Sequence, residues 1–316
     1  MRTQRGMAML VAVLLVALAT ILASAIAYDN AMTARRGTAT LDFDEALLVA
    51  QGAEAFAAYG IREVDRSNTQ PNYPGEHWDD MLGPVEAVPG VMLTAYLEDM
   101  EGRFNVNWLI DPQTGVPNAV AVAAFRNLLK NAQIEDQWAD KLVDWLDADS
   151  QQQPDGGEDS LYLGQDPPYL AANELITSTS ELLALPGFGR ERYMKLKDYI
   201  SALPPTSLFN VCTAPGPVLD AFAGADEWTR NADALRKNRE TAGACFPTLQ
   251  GYQQTFTVQT AWNTVSDKFL EKKTSQYFRL TSLVTIGSTQ FTLYSLLFVT
   301  RTPPMVKPIM RSYTPD

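Results

Sequence analysis

This sequence predicts an α+β fold: a long N-terminal helix plus an antiparallel sheet, with a large α-helical insertion between the strands. Three observations carry that expectation. Residues 7–28 hold no charge, and the Ala- and Leu-rich chain behind them continues without a proline to residue 66. Strand-like segments occur at 91–108 and again at 277–300, and residues 117–249 between them are helical in pattern and acidic. Neither strand region would be stable as a lone hairpin, so the two are expected to share one sheet. Two domains in tandem are the alternative.

The first element reads as a membrane anchor. Its 22 uncharged residues make a helix of about 33 Å, enough to cross a hydrocarbon core of about 30 Å, whereas the apolar part of a signal peptide is about 7–15 residues long. A cleaved signal is the alternative, since Ala23, Ser24, Ala25 and Ala27 offer small-residue cut sites. Gly6 argues the other way. It stands between the basic leader, with Arg2 and Arg5, and the apolar run, where a cut leaves the anchor attached behind Met7. The leader's arginines favour a cytoplasmic N-terminus and an exported body, and Arg35 and Arg36 on the far side weaken that bias. Residues 41–66 should continue as a helix, with Gly37 the place for any bend. Leu41, Leu48, Gln51, Ala55, Tyr59 and Arg62 fall along one helical side, with Leu47, Ala50, Glu54 and Ala58 beside it.

The remaining elements follow by texture. Residues 67–90 read as a loop rich in Pro, Gly and Asn. Residues 91–108 read as two short strands around a turn at Met100-Glu-Gly102, with Tyr96, Phe104 and Val106 suited to a pleated surface. Near the end, Tyr277–Ile286 and residues 290–300 flank Gly287-Ser288-Thr289 as a hairpin with a three-residue turn, and Pro303, Pro304 and Pro308 should end the sheet. The expected organisation is a leader at 1–6, a membrane-spanning part at 7–28, an α/β domain from 29–110 and 250–316, and an inserted helical domain at 111–249.

Composition excludes some functions. Over the whole chain, a net charge of −12 and a pI of about 4.6 disfavour a nucleic-acid or anionic-lipid surface. The two cysteines, Cys212 and Cys245, are an even number in a body expected to be exported. An oxidising periplasm would let them pair and close a loop worth about 3–4 kcal/mol in the loop-entropy model. Two buried free thiols are the alternative.

The chemically loudest stretch is 135–166, with ten carboxylates and one basic residue, Lys141. It is either a solvated face or a cation site. Asp140 and Asp144 lie four apart on a helix, while Asp147, Asp149, Asp155, Glu158 and Asp159 fall in a loop broken by Pro154 and Gly156-Gly157. Hard oxygens on a turning backbone suit Ca2+ in a structural role. Asp147, Asp149, Gln151 and Glu158 match positions 1, 3, 5 and 12 of an EF-hand loop, but Gln152 stands where that loop needs glycine, so the match is incomplete.

A helix-hairpin-helix pattern follows in LLALPGFG (182–189), with Tyr193, Leu196 and Ile200 at helical spacing. Arg190, Arg192, Lys195 and Lys197 would suit phosphate contact, which keeps a membrane-tethered periplasmic DNA-binding protein as the alternative function. Residues 111–249, however, carry 20 acids against 11 bases, so a packing motif is favoured and no nucleic acid is expected. No enzyme is expected either. The only histidine, His77, lies in a polar loop away from any serine or cysteine at a recognisable spacing, and no phosphate loop or zinc set occurs. A carboxylate-pair hydrolase could hide in 135–166, but Trp138, Trp145 and Tyr162 read as core rather than as a sugar platform.

An anchor running into a long helix with a body behind it resembles a type IV pilin. Leader, Gly6 and anchor look like a prepilin peptidase site, at which that family is cut after glycine and methylated on the new N-terminus, here Met7. The chain resembles, more closely, the minor pseudopilin K family of type II secretion systems. The resemblance runs from the leader through GRFNVNWL (102–109), LVDWLDADS (142–150), GGEDSLYLGQDPPYLAANE (156–174), ELLALPGFG (181–189) and YFRLTSLV (277–284). Val11 replaces the glutamate that most pilin-like subunits carry at the fifth mature position, which suits a subunit with none above it, ordinary anchor filler being the alternative. The resemblance implies a pilin-like domain with an insertion that binds calcium. It also implies a place at the tip of the pseudopilus, with the body in the periplasm and the anchor in the inner membrane. The implied partners are the minor pseudopilins I and J, the major pseudopilin and prepilin peptidase. The implied calcium ligands are Asp147, Asp149, Glu158, Asp159 and Asn173.

Overall fold

The computed structural model describes residues 4–67, 81–223, 275–301 and 304–314. His77, Cys245 and the last part of the expected insertion, 224–249, lie outside the described residues. Helix α1 (Gln4–Ser67) is unbroken for 64 residues, in keeping with a sequence that offers it no proline. Its apolar first part is exposed throughout, and it is the one described helix long and apolar enough to cross a membrane. The second part packs on a sheet through small residues. Ala46, Ala50, Ala53 and Ile61 are buried there, and the larger Leu41, Leu48 and Tyr59 face outward. The side of Ala50 and Glu54, rather than that of Leu41 and Tyr59, therefore meets the body, because alanine lets the helix lie close to the strands.

Five antiparallel strands form the sheet, in the order β1 (Leu82–Val88), β2 (Val91–Asp99), β5 (Tyr277–Ile286), β6 (Thr289–Arg301) and β7 (Pro304–Ser312). Alternation decides which face is buried under α1: Leu93, Ala95 and Leu97 of β2, Phe278, Leu280 and Val284 of β5, and Leu293, Leu297 and Val299 of β6. Glu54 is the one buried acid among the described residues of α1. Ser295 Oγ donates to it at 2.5 Å, and the Arg311 guanidinium grips both its oxygens at 2.7 and 2.8 Å, so the helix is pinned to β6 and β7.

Four expectations need correction. Part of the loop expected at 67–90 is the edge strand β1. The turn between β5 and β6 is shorter than expected, since Ile286 pairs with Thr289 and leaves Gly287-Ser288, with Gly287 at φ +56°. Pro304 and Pro308 do not end the sheet, while Pro303 lies outside the described residues. Pro304 opens β7 and Pro308 sits at its register shift, on an edge strand where a missing N–H costs no ladder bond. Finally, residues 100–110 do not return to β2 as a hairpin. They enter the insertion as β3 (Phe104–Asn105), which pairs in parallel with β4 (Ile200–Ser201), and then as a 3-10 turn, Val106–Leu109. The buried amides of Asn105 and Asn107 explain this. Asn105 Nδ2 donates to Leu203 O, Pro204 O and Ser207 Oγ at 3.0 Å, and Asn107 Nδ2 to Ile176 O at 2.9 Å and Leu203 O at 2.8 Å.

The insertion adds α2 (Ala119–Asn131), α3 (Trp138–Leu146), α4 (Asp159–Leu163), α5 (Gly189–Leu196) and α6 (Gly216–Ala223). Asn118 caps α2 by accepting from Val120 N and Ala121 N. Their core is separate from that under α1 and centres on Phe104, Trp108, Phe125, Phe209 and Phe222. The expected hairpin forms as a 3-10 turn, Thr179–Ala184, followed by α5, with Leu182, Leu185, Phe188, Tyr193 and Leu196 in this core. Arg192 is committed inside the unit. Its guanidinium pairs with Glu135 at 2.6 and 2.7 Å and donates to the carbonyls of Gly187 and Phe188.

Insertion and sheet meet at Asp99, which is buried at the end of β2. Its carboxylate accepts from Glu101 N at 2.9 Å, Asn210 Nδ2 at 2.8 Å, and Thr213 Oγ1 and Ser275 Oγ at 2.6 Å each. One side chain thus ties the strand that leaves the sheet, the inserted unit, and the segment returning to β5. Cys212 lies in this neck, fully buried and disulfide-bonded.

Candidate metal centre

Helix α3 presents a buried face that includes two acids, Asp140 and Asp144, one turn apart. Asp140 pairs with Arg126 and accepts from Asp155 N. Among the described residues Asp144 has no basic partner. Its carboxylate accepts from Gln153 N at 3.1 Å and Gly157 N at 2.7 Å, folding the chain after α3 back over the helix. That return needs glycine at 156, because a Cβ there would lie 1.9 Å from Asp144 Oδ2. The α3 C-cap, Asp147, and the α4 N-cap, Glu158, are brought to the same place. One oxygen from each of Asp144, Asp147 and Glu158 lies within 4.8 Å of the others.

The polar accounting there is incomplete. Asp147 is buried and neither of its oxygens has a hydrogen-bond partner, and Glu158 Oε1 and Asn173 Oδ1 are also buried without one. Burial pushes the Asp147 carboxyl up to about 7, with repulsion from Asp149, Asp144 and Glu158 adding to it. Burial likewise raises Asp144 and Glu158, again with acidic neighbours contributing. Leaving buried acceptors unpaired costs about 1–3 kcal/mol each, and more when they are charged. The bare oxygens of Asp147 and Glu158 are hard donors of the kind Ca2+ takes, at six to eight positions and variable geometry. The residues therefore fit the ion that the sequence resemblance implies.

Of the five expected ligands, Asp147 and Glu158 are brought together. Asn173 is tied to the end of α3 by its N–H on Trp145 O at 3.0 Å, in a left-handed conformation at φ +50°. Asp149 and Asp159 are not part of the three-acid group. Asp149 is exposed and accepts from Gln151 N at 2.7 Å, and Asp159 Oδ1 accepts from Ala171 N at 3.1 Å. Asp144 was not among the expected ligands. Its spacing of three from Asp147 at a helix end was the available signal. Gly6 and Met7 lie in the first turns of α1, far in sequence from the body. Trp138, Trp145 and Tyr162 are core, with Tyr162 packed on Trp145 at 5.0 Å.

With this geometry in hand, known proteins give the context. Residues 102–205 match the family model for type II secretion system (T2SS) protein K. The type II secretion system protein K of Pseudomonas aeruginosa is 33% identical over 235 residues, covering 71% of this chain and 70% of that protein. The protein K of Pectobacterium carotovorum subsp. carotovorum is 29% identical over 306 residues, covering 93% and 92%. The fold is similar to a chain in the crystal structure of the GspK–GspI–GspJ complex from the enterotoxigenic Escherichia coli type 2 secretion system. There the TM-score is 0.74 at 21% identity, covering 89% of this chain and all of that one. An unbroken apolar helix, a five-stranded sheet and an acid-lined insertion, matched in sequence over two thirds of a relative, lead to one conclusion: the chain belongs to the type II secretion system protein K family.

Proposed function

We propose that this minor pseudopilin of type II secretion starts the pseudopilus and stays at its tip. It is cut by prepilin peptidase after Gly6 and methylated on Met7. α1 then holds it in the inner membrane, with its body in the periplasm, until it assembles with minor pseudopilins of the I and J types and with the major pseudopilin. The carrying observation is α1 itself, one rigid rod that is wholly exposed and apolar over its first part and packed on the sheet over its second. An exposed apolar rod of that kind must be covered by lipid or by neighbouring helices. Val11 adds to the tip reading, since a terminal subunit has no neighbour above it to satisfy a buried glutamate. The relative seen in complex with GspI and GspJ supports the choice of partners.

Calcium is proposed to fold the insertion from within. Asp147, Glu158 and Asn173 would hold it, with Asp144 beside them and Asp149 and Asp159 within the same loop system. The bound ion supplies positive charge that offsets the repulsion of these acids, while Asp144 and Gly156 shape the loop around it. Cys212 pairing with Cys245 would close the neck covalently. The chain acts as an assembly part in this reading, not as a catalyst.

Co-expression with its I and J partners and prepilin peptidase, followed by purification from membranes, tests the proposal. The three chains are expected to co-purify, and the mature protein K to begin at a methylated Met7. Gly6→Leu should leave the uncut precursor in the membrane. A mature N-terminus near residues 26–28, or a protein K that never associates with I or J, refutes it.

A further inference from the structure

Between the apolar run of α1 and the body lies a bare stalk. The run ends at Tyr28, its only aromatic residue, and aromatic rings favour the membrane–water interface. Among the described residues the first ring contact of α1 with the body is Phe43 against Phe291 and Tyr313, and the first buried residue of α1 is Ala46. The 14 residues 29–42 lift the body about 21 Å from Tyr28. Arg35 and Arg36 stand exposed in this stalk. No acid lies three or four residues from either of them in sequence, where a helix could pair them; Asp29 and Asp42 are each at least six away. Neither guanidinium has a partner among the described residues.

Their height is what selects a ligand. Seven and eight residues beyond Tyr28 is about 10–12 Å, against a headgroup layer of about 5–8 Å on each side of the hydrocarbon core. Side chains of a helix lean toward its N-terminus, here back toward the bilayer, and arginine extends along that direction to place its head at the interface. We propose that Arg35 and Arg36 bind the phosphates of anionic phospholipid headgroups on the face from which the body projects, fixing how deep α1 sits before assembly. Arginine suits this role because its planar fork meets phosphate oxygens two at a time. The proposal rests on α1 being a membrane anchor.

The full chain, reconstituted in phosphatidylcholine vesicles with trace spin-labelled lipid, decides the matter through the preference of its lipid shell for phosphatidylglycerol over phosphatidylcholine. Replacing Arg35→Gln and Arg36→Gln together should reduce that preference by about fivefold for each arginine at low salt. Arg35→Lys with Arg36→Lys should retain most of it. The leader's Arg2 and Arg5 are common to all variants and cancel. An unchanged preference in the double Gln variant, with the chain still inserted, overturns the headgroup role alone. A wild-type chain that fails to enter vesicles of either lipid overturns the anchor reading and this inference with it.

Discussion

Two buried clusters of acid in this molecule have opposite chemistry. At the neck, Asp99 is fully supplied, with four donors converging on one carboxylate. In the loop between α3 and α4, Asp147 has no donor among the described residues, and Glu158 beside it leaves a buried oxygen bare, as does Asn173 at the end of α3. Burial raises the carboxyl pKa in both places. At Asp99 hydrogen bonds to Ser275, Thr213, Glu101 and Asn210 oppose that rise, whereas at Asp147 further acids reinforce it. A carboxylate satisfied by the chain is a structural knot, complete as soon as the protein folds. A carboxylate that only other carboxylates surround is a site that something positive must complete.

The largest expected effect breaks the first half of that comparison. Asp99→Ala leaves four donors, three of them on buried residues, facing nothing and unties the insertion from the strands it interrupts. It should cost about 3–4 kcal/mol and lower the melting temperature by the same amount with calcium or with chelator. A loss below 1 kcal/mol would show that the neck is held elsewhere.

The loop should respond to calcium where the neck does not. At 100 times its dissociation constant a ligand bound only to the folded state adds about 2.7 kcal/mol, so chelation should lower the melting temperature by several degrees and calcium should restore it. Magnesium should substitute poorly, since it demands a smaller octahedral site. Asp147→Asn with Glu158→Gln should abolish the response. It should also make the chelated protein more stable than its parent, because the repulsion is gone. The pH dependence follows from the sign of the shift. Asp147's folded pKa is raised, so its favourable contribution is full below the ordinary carboxylate value and is lost as pH rises through about 7. The chelated protein should therefore weaken more steeply over that range than the calcium-bound protein, in which the loop no longer titrates. If chelator leaves the melting curve unchanged at pH 8, the loop is only an acidic face.

The two clusters also differ in how far they could be read from sequence. Asp147 and Glu158 were legible because a loop must crowd acids that are close in sequence, and their spacing showed it. Asn173 came only through the family resemblance. Asp144 was hidden by its place in a helix, since nothing local says that its carboxylate turns to the amides of Gln153 and Gly157. Asp99 was not legible at all: a lone acid at a strand end looks like a turn residue, and its side-chain donors lie 111 to 176 positions away. The fold divides the same way. The anchor and strands β2, β5 and β6 announced themselves by charge-free length and by alternation. β1 and β7 did not, because glycine and proline mask an edge strand whose free side tolerates them.

Asp220 on α6 gives the smallest test and a third case between the other two. It is fully buried, neither oxygen has a hydrogen-bond partner among the described residues, as at Asp147, and burial pushes it up to about 7. Among the described residues no acidic neighbour adds to that rise, and a buried carboxyl raised by desolvation folds most easily in its protonated form. Because its folded pKa exceeds the ordinary value, the stability it allows is full at acid pH and falls as pH passes about 7. In excess calcium, which suppresses titration of the loop, the unfolding midpoint should still decline from pH 6 to 8, by at most about 1.4 kcal/mol per pH unit. Asp220→Asn carries no charge at any pH and should flatten that slope while leaving the calcium response intact. A slope that persists unchanged in Asp220→Asn would assign the titration to another group and leave Asp220 ionised and paired in solution.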